Sequence, residues 1–128
     1  MEYKKIKIYV EGLNLICDIL EIDFVFGECL FFNPETNKAT KVYIDSDNEL
    51  IFPTKYKDAT SKVVSIGSII TIANKLHYVV IARFGGELYI TRHPDKPEAV
   101  TLSRIFEFDG QNKINVVGHL LTNPELLD

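Results

Sequence analysis

The stretch Tyr9–Asp23, YVEGLNLICDILEID, constrains the fold of this chain more than any other. Its apolar side chains recur at every second position, at Leu13, Leu15, Cys17 and Ile19. A period of two is typical of a β-strand with one buried face. Gly12 marks a turn before this run, and Ile22 and Asp23 close it. The pattern therefore predicts a turn followed by a half-buried strand over residues 13–22.

The rest of the chain repeats this strand-and-turn pattern. Two hairpins are predicted, one joining residues 40–45 to 49–53, the other joining 77–83 to 87–92 across Gly85-Gly86. Gly67, in a long apolar run, predicts a bulge or sharp bend. Further strands are predicted over residues 3–10, 28–33 (after a bend at Phe26-Gly27), 62–73, 99–108 and 113–121.

No stretch gives a convincing helix, although residues 74–78 and the final tail are candidates. The predicted fold is all-β: a small, strongly bent antiparallel barrel with additional C-terminal hairpins. A length of 128 residues fits a single unit over 1–128. A possible seam lies near residues 74–76, separating a barrel over 1–75 from an added β unit over 76–128.

The charge and the cysteine content limit which binding partners and which cellular compartment the sequence predicts. A formal net charge of −4 lacks the basic excess that phosphate binding requires, so RNA is a possible but disfavoured partner. Cys17 and Cys29 are too few for a disulfide framework and lie in apolar runs, which indicates small buried side chains. No signal peptide or bilayer-length apolar run is recognised, so we expect a cytoplasmic protein with no membrane association.

The chain shows no catalytic or metal motif. The segment Asp45–Glu49 looks like part of a calcium loop, but Leu50 stands where the loop needs glycine. The three histidines, His77, His93 and His119, lack metal-ligand spacing. The sequence therefore predicts no cofactor, no metal and no enzyme, unless a hydrolase site assembles from distant His, Asp and Ser residues.

The first half of the chain resembles the Sm-like proteins, small β-barrels that assemble into oligomers. The first Sm motif would fall on Gly12, Leu15, Cys17, Ile19, Ile22 and Asp23, and the second on residues 62–72 around Gly67. Ile66 stands where the family has arginine, and Gly27 where it has a base-contacting asparagine. The resemblance covers residues 3–75 and is nearest to phage-encoded Sm-like proteins, whose motifs are similarly altered. It implies a phage or bacterial scaffold that binds copies of itself or a protein partner.

The second half is similar in layout to the C-terminal domain of self-cleaving SOS repressors and signal peptidases. The likeness lies in the hairpin GELYITR and the strand INVVGHLL. Thr91 would occupy the position of the catalytic lysine, and only Ala59, Thr60 or Ser61 would be near the position of the serine. Threonine cannot supply the amine that a Ser–Lys dyad needs, so this resemblance implies a catalytically dead dimerisation or regulatory domain.

The aromatic residues give a last indication. Phe24 and Phe26 flank the bend at Gly27, while Tyr43, Tyr56, Tyr78 and Tyr89 are scattered along the chain. Without basic neighbours, core and interface roles are favoured over base stacking. The sequence therefore predicts a non-catalytic, oligomerising or partner-binding β-domain, with the dead repressor-like domain as the alternative.

Overall fold

The computed structural model describes residues 6–83, 86–92 and 100–127. Over these ranges the protein is mostly antiparallel β-structure, arranged in three sheets. The strands are β1 (Lys7–Val10), β2 (Leu15–Asp23), β3 (Glu28–Asn33), β4 (Lys38–Tyr43), β5 (Leu50–Ile51), β6 (Pro53–Lys57), β7 (Val63–Ser65), β8 (Ser68–Ile72), β9 (His77–Ala82), β10 (Leu88–Thr91), β11 (Val100–Thr101) and β12 (Ile114–His119). The helix is α1 (Leu102–Phe108), and 3₁₀ turns span Gln111–Lys113 and Pro124–Leu127.

The chain divides into two compact units, Met1–Phe52 and Pro53–Asp128, called here the first and second units. The residues of the predicted seam, 74–76, lie within the second unit, in the turn between β8 and β9. That a single unit spans residues 1–128 stays a prediction.

The first unit is one five-stranded sheet in the order β4-β3-β2-β1-β5. Strands β1 to β4 follow each other as a meander, and β5 returns to pair with β1. No pairing closes this sheet into a barrel in the part of the chain that the structure describes. Its core consists of Ile6, Ile8, Val10, Cys17, Ile19, Cys29 and Phe31.

A β-bulge in β2 explains why the apolar pattern changes phase after Ile19. The register with β3 runs from Ile19 opposite Phe31 to Glu21 opposite Leu30, which leaves an extra residue on β2. Such an insertion moves every later side chain to the other face. Ile22 therefore packs against the same core as Ile19, although three positions separate them.

The second unit contains the sheet β11-β10-β9-β8-β12 and the two-stranded sheet β6-β7. The larger sheet has a hydrophobic cluster on each face. One cluster joins Val64, Ile70, Val80, Ile90, Leu102 and Ile114, and the other joins Ile69, Val79 and Leu127. Because successive side chains of a strand point to opposite faces, β8 and β9 contribute to both clusters.

Three predicted elements are wrong. Residues 40–45 and 49–53 do not form a hairpin, because β4 pairs with β3 and β5 pairs with β1. Most of the predicted strand 99–108 is helix α1. The helix candidate at 74–78 is also wrong, since it covers a turn and the start of β9.

Other predictions are confirmed. The all-β class holds apart from the short helix, and β2 and β3 lie where the sequence placed them. The bend at Gly67 separates β7 from β8, with φ at +90°. Strands β9 and β10 form the predicted hairpin. Gly85 and His93 lie outside the described residues.

Candidate functional site

The loop between β2 and β3 is a tight turn whose shape is fixed by Asp23. The Asp23 carboxylate oxygen Oδ1 accepts hydrogen bonds from the backbone N–H groups of Val25 (3.0 Å) and Phe26 (3.2 Å). Aspartate often stabilises turns in this way. Gly27 completes the turn at a φ of +65°, which glycine adopts without strain. Its carbonyl accepts the N–H of Ile44 at 2.7 Å, so the turn is tied to the end of β4.

This turn presents three consecutive apolar side chains to solvent. Phe24 is 74% exposed, Val25 87% and Phe26 73%. Single exposed apolar residues are common, but a contiguous patch generally marks an interaction surface. Tyr43 lies at the end of β4, opposite Glu28 of β3, and it is 66% exposed. We call residues 24–26 the apolar tip.

The outer face of the same sheet is acidic next to the apolar tip. Since Cys29 and Phe31 point into the core, their neighbours Glu28 and Leu30 point outward. The register places Glu21 beside Leu30. An open pocket of about 270 Å³ lies on this face, and it is lined by Glu21, Asp23, Glu28, Leu30 and Lys41.

The pocket holds three carboxylates and one ammonium group. Lys41 Nζ lies 3.4 Å from Glu28 Oε2. Among the described residues, Glu21 and Asp23 form no ion pair. The surface beside the apolar tip therefore keeps a negative charge, which favours a basic group on whatever contacts it.

The formal charge is distributed unevenly along the chain. Residues 1–52 contain five lysines and ten acidic residues, a formal charge of −5, whereas residues 53–128 contain nine basic and eight acidic residues, a formal charge of +1. The first unit thus carries the acidity of the whole chain. Phosphate-rich ligands are repelled by such a surface.

The core residues of the predicted Sm motif serve packing. Cys17 and Ile19 are buried, and Ile22 packs against the same cluster. Leu15, at the start of β2, is 37% exposed. Burial raises the pKa of the Cys17 thiol, and it raises that of Cys29 to about 11. Both thiols therefore stay protonated near neutral pH and act as small apolar side chains rather than nucleophiles.

The glycines of that motif lie in turns, and its aspartate is the last residue of β2, next to the turn at residues 24–27. Gly12 is in the β1–β2 turn, where the positive φ of +50° falls on Asn14 instead. Asp23 and Gly27 build the turn of the apolar tip, as described above. Gly67 belongs to the second unit. Its hydrogen atoms face the ring of His119 so closely that an added Cβ would lie 2.5 Å from Cε1.

His119 is a buried structural residue. Its Nε2 lies 3.0 Å from the carbonyl oxygen of Ile66, and its Nδ1 accepts the N–H of Leu121 at 3.1 Å. This arrangement fits the neutral ring protonated at Nε2. Burial lowers the pKa of His119, although the bond to Ile66 opposes the shift. The ring holds the end of β12 against the bend at Gly67.

Asp58 is a second buried polar residue with a structural role. Oδ1 accepts bonds from the N–H of Thr60, the hydroxyl of Thr60 and the N–H of Lys62, all within 2.9 Å. Oδ2 accepts the N–H of Val116 at 2.9 Å. Burial raises the pKa of Asp58, but these hydrogen bonds outweigh it and hold the pKa below its ordinary value. Thr60, one of the three residues near the repressor-like serine position, thus has its hydroxyl bound to a carboxylate.

The loop 58–62 covers the outer edge of the second unit's larger sheet. Besides the bond from Val116 to Asp58, the N–H of Ala59 donates to the carbonyl of Ile114 at 2.8 Å. Both Ile114 and Val116 belong to β12, which is an edge strand. This edge therefore has partners within its own unit, as natural sheets generally arrange.

The histidines that the structure describes do not converge. His77 is opposite Thr71 at one end of β8, and His119 is opposite Ser68 at the other end. Across residues 6–83, 86–92 and 100–127, no group of three His, Cys, Asp or Glu side chains could hold a metal ion. In the same ranges, no helix is both long and apolar enough to cross a bilayer.

The sequence contained a signal for the apolar tip. Three apolar residues stand in a row between Asp23, a turn former, and Gly27. A turn normally carries polar residues, so this run was informative on its own. The acidic pocket could not be found in this way, because its members come from three strands and depend on their register.

Taken together, the fold defines a two-unit, predominantly antiparallel β protein. No family model matches the chain, and no curated protein matches it. Among solved structures it is similar to the crystal structure of protein EF1440 from Enterococcus faecalis. The TM-score is 0.64 over 97% of each chain, with 14% sequence identity. At this identity the likeness shows a shared fold.

Proposed function

We propose that this protein is a non-catalytic, Sm-like module of phage or bacterial type, which assembles with copies of itself through the sheet edges of its first unit. The observation that carries the proposal is the edge strand β4. It pairs only with β3 among the described residues, over six residue pairs without a register shift. A regular strand of this length with one unpaired side is a template for another strand.

The backbone groups that β4 offers can be assigned from the register. The N–H of Ile44 donates to Gly27, which belongs to the β3 side. Because the bonding direction alternates along an antiparallel pair, the N–H groups of Thr40 and Val42 also face β3. Those of Ala39, Lys41 and Tyr43 face the outer edge and are available to a further strand.

The second edge of the same sheet complements the first in charge. Lys38 and Lys41 lie on β4, whereas the segment leading into β5 carries Asp45, Asp47 and Glu49. Pairing of β4 in one copy with β5 in the next would place opposite charges together. Such head-to-tail contacts close into rings when the rotation between copies allows it. An RNA ligand is disfavoured by the charge of −5 on residues 1–52.

The test is the molar mass in solution, measured by light scattering, for wild type and two proline variants. Ala39→Pro removes an outward N–H, so it should keep the fold and reduce the oligomer to a monomer. Thr40→Pro removes an N–H that bonds to β3, so it should lower the melting temperature. Ala39→Ser is the control and should keep the wild-type mass.

A wild-type chain that is monomeric at high concentration would contradict self-assembly. An Ala39→Pro variant that folds and keeps the full oligomer mass would show that the interface lies elsewhere.

A further inference from the structure

The apolar tip lies outside the edge strands and calls for a partner of its own. We propose that residues 24–26 insert into an apolar pocket of a different protein, and that the rim of this pocket carries Lys or Arg side chains. The proposal goes beyond assembly through β4, since no residue of the tip belongs to a sheet edge.

The first argument is the exposure of the side chains on a fixed turn. Phe24 and Phe26 are each about three-quarters exposed, and neither joins the core cluster of the first unit. The turn is held by the Asp23 carboxylate and by the bond between Ile44 and Gly27. A preorganised loop loses little conformational entropy when it binds. Large aromatic side chains in such a position are typical anchors of protein interfaces.

The second argument is charge complementarity. Glu21 and Asp23 lie beside the tip and form no ion pair among the described residues. A basic side chain at the rim of the partner's pocket would reach the open pocket of about 270 Å³ that these carboxylates line. Only part of the negative charge there is compensated by Lys41, which pairs with Glu28.

The same charges disfavour two other partners that an apolar tip could contact, a membrane and a second copy of this chain. An anionic membrane surface attracts basic segments and repels carboxylates. A second apolar tip would bring its own Glu21 and Asp23 carboxylates against those of the first, so tip-to-tip contact between copies is repulsive. A basic, apolar pocket in a different protein satisfies both the aromatic side chains and the carboxylates.

The test places the photo-crosslinking amino acid benzoylphenylalanine at position 25 of the full chain, expressed in its host cells. The same amino acid at position 108 is the reference, because Phe108 is as exposed (75%) as Phe24 (74%) but lies on α1. We expect a specific hetero-protein adduct from position 25 only. Its crosslinked peptide in the partner should lie in an apolar pocket with Lys or Arg at the rim.

Matched variants then separate the apolar and the charged contributions. Phe24→Ser should lower the yield of this adduct about tenfold, as truncation of an interface anchor does, while Phe108→Ser should not. Glu21→Lys should lower the yield several-fold, while Glu107→Lys, an exposed charge on α1, should leave it unchanged. Salt added before irradiation should lower the yield of the adduct from the wild-type tip, because it screens the attraction between the carboxylates and the basic rim.

Three results would overturn the proposal. The first is an adduct that joins two copies of this chain. The second is sedimentation of the purified chain with vesicles of phosphatidylcholine and phosphatidylglycerol, lost in Phe24→Ser. The third is a yield from position 25 that is no higher than from position 108, or that responds equally to the tip variants and their controls.

Discussion

At the scale of single residues, the two glycines of the Sm-like motifs have opposite structural importance. Gly67 combines a φ of +90° with a neighbouring ring only 2.5 Å from the position of an added Cβ. Gly12 has nothing within 4 Å of that position and no positive φ. A motif read from sequence treats both as turn glycines, whereas the structure separates them.

This difference predicts the outcome of two alanine substitutions. Gly67→Ala should lower the free energy of unfolding by about 3 kcal/mol, because the left-handed backbone is strained and the His119 ring must move. Gly12→Ala should change it by less than about 0.5 kcal/mol. Urea denaturation of both variants measures the two values. Equal effects would show that neither the left-handed backbone at residue 67 nor the His119 ring opposes the added methyl group.

At the scale of elements, Asp58 links the loop 58–62 to the edge of β12. The carboxylate oxygens of Asp58 accept hydrogen bonds from the backbone N–H groups of Thr60, Lys62 and Val116. In Asp58→Asn, an NH₂ group replaces one of these oxygens, so at least one of the backbone N–H groups faces another donor and loses its acceptor. Leaving a buried N–H without an acceptor costs about 1–3 kcal/mol, so the variant should lose that much stability at pH 7. Asp45→Asn is the control, since an exposed asparagine oxygen can still accept the N–H groups of Asp47 and Asn48.

The same carboxylate makes part of the stability depend on pH. The pKa of Asp58 is lower in the folded chain than in the unfolded chain, so its contribution is present above the ordinary value of 3.8 and is lost as the pH falls through the folded value. The stability difference between wild type and Asp58→Asn should therefore shrink in acid. A difference that stays constant down to pH 2 would contradict this role for the ionised carboxylate.

The elements that sequence patterns predicted well are those stabilised by local contacts. The hairpin β9–β10 and the strand β3 are marked by turn residues and apolar alternation that need no distant partner. Helix α1 was missed although its signal was present. Leu102, Ile105 and Phe106 follow the helical spacing i, i+3, i+4, and all three pack on the second unit's core.

The partners of β4 and β5 show where local patterns stop being informative. The turn Asp45–Asn48 is stabilised by the Asp45 carboxylate, as a hairpin turn would be. However, the chain leaves it towards β1, where the N–H of Tyr9 donates to the carbonyl of Glu49 at 2.8 Å. Pairing between β1 and β5 joins residues over forty positions apart, so its energy is invisible in a short window. The acidic pocket depends on register in the same way.

At the scale of the whole molecule, the strand pairing predicts that each unit contains its own folding information. The first sheet uses residues 7–51 only, and the other two sheets use residues 53–119 only. Each unit also has a separate hydrophobic core. The only sequence mark of this boundary is Phe52-Pro53, which is equally typical of a strand end.

The division leads to a prediction about fragments. Residues 53–128 should fold alone, since 76 residues with a two-sided core lie within the size range of independent domains. Residues 1–52 should be marginal, because a sheet of this size buries a small share of its surface. A fragment ending at residue 76 would carry β6, β7 and β8 without β9 or β12. An isolated two-stranded pair such as β6–β7 is marginal in water, so this fragment should show no additional protected amides beyond those of residues 1–52. Amide hydrogen exchange measured by NMR on the three fragments checks this, with the full chain as the reference. Protection of β8 in the 1–76 fragment, or an unfolded 53–128 fragment, would show instead that the chain folds as one undivided unit.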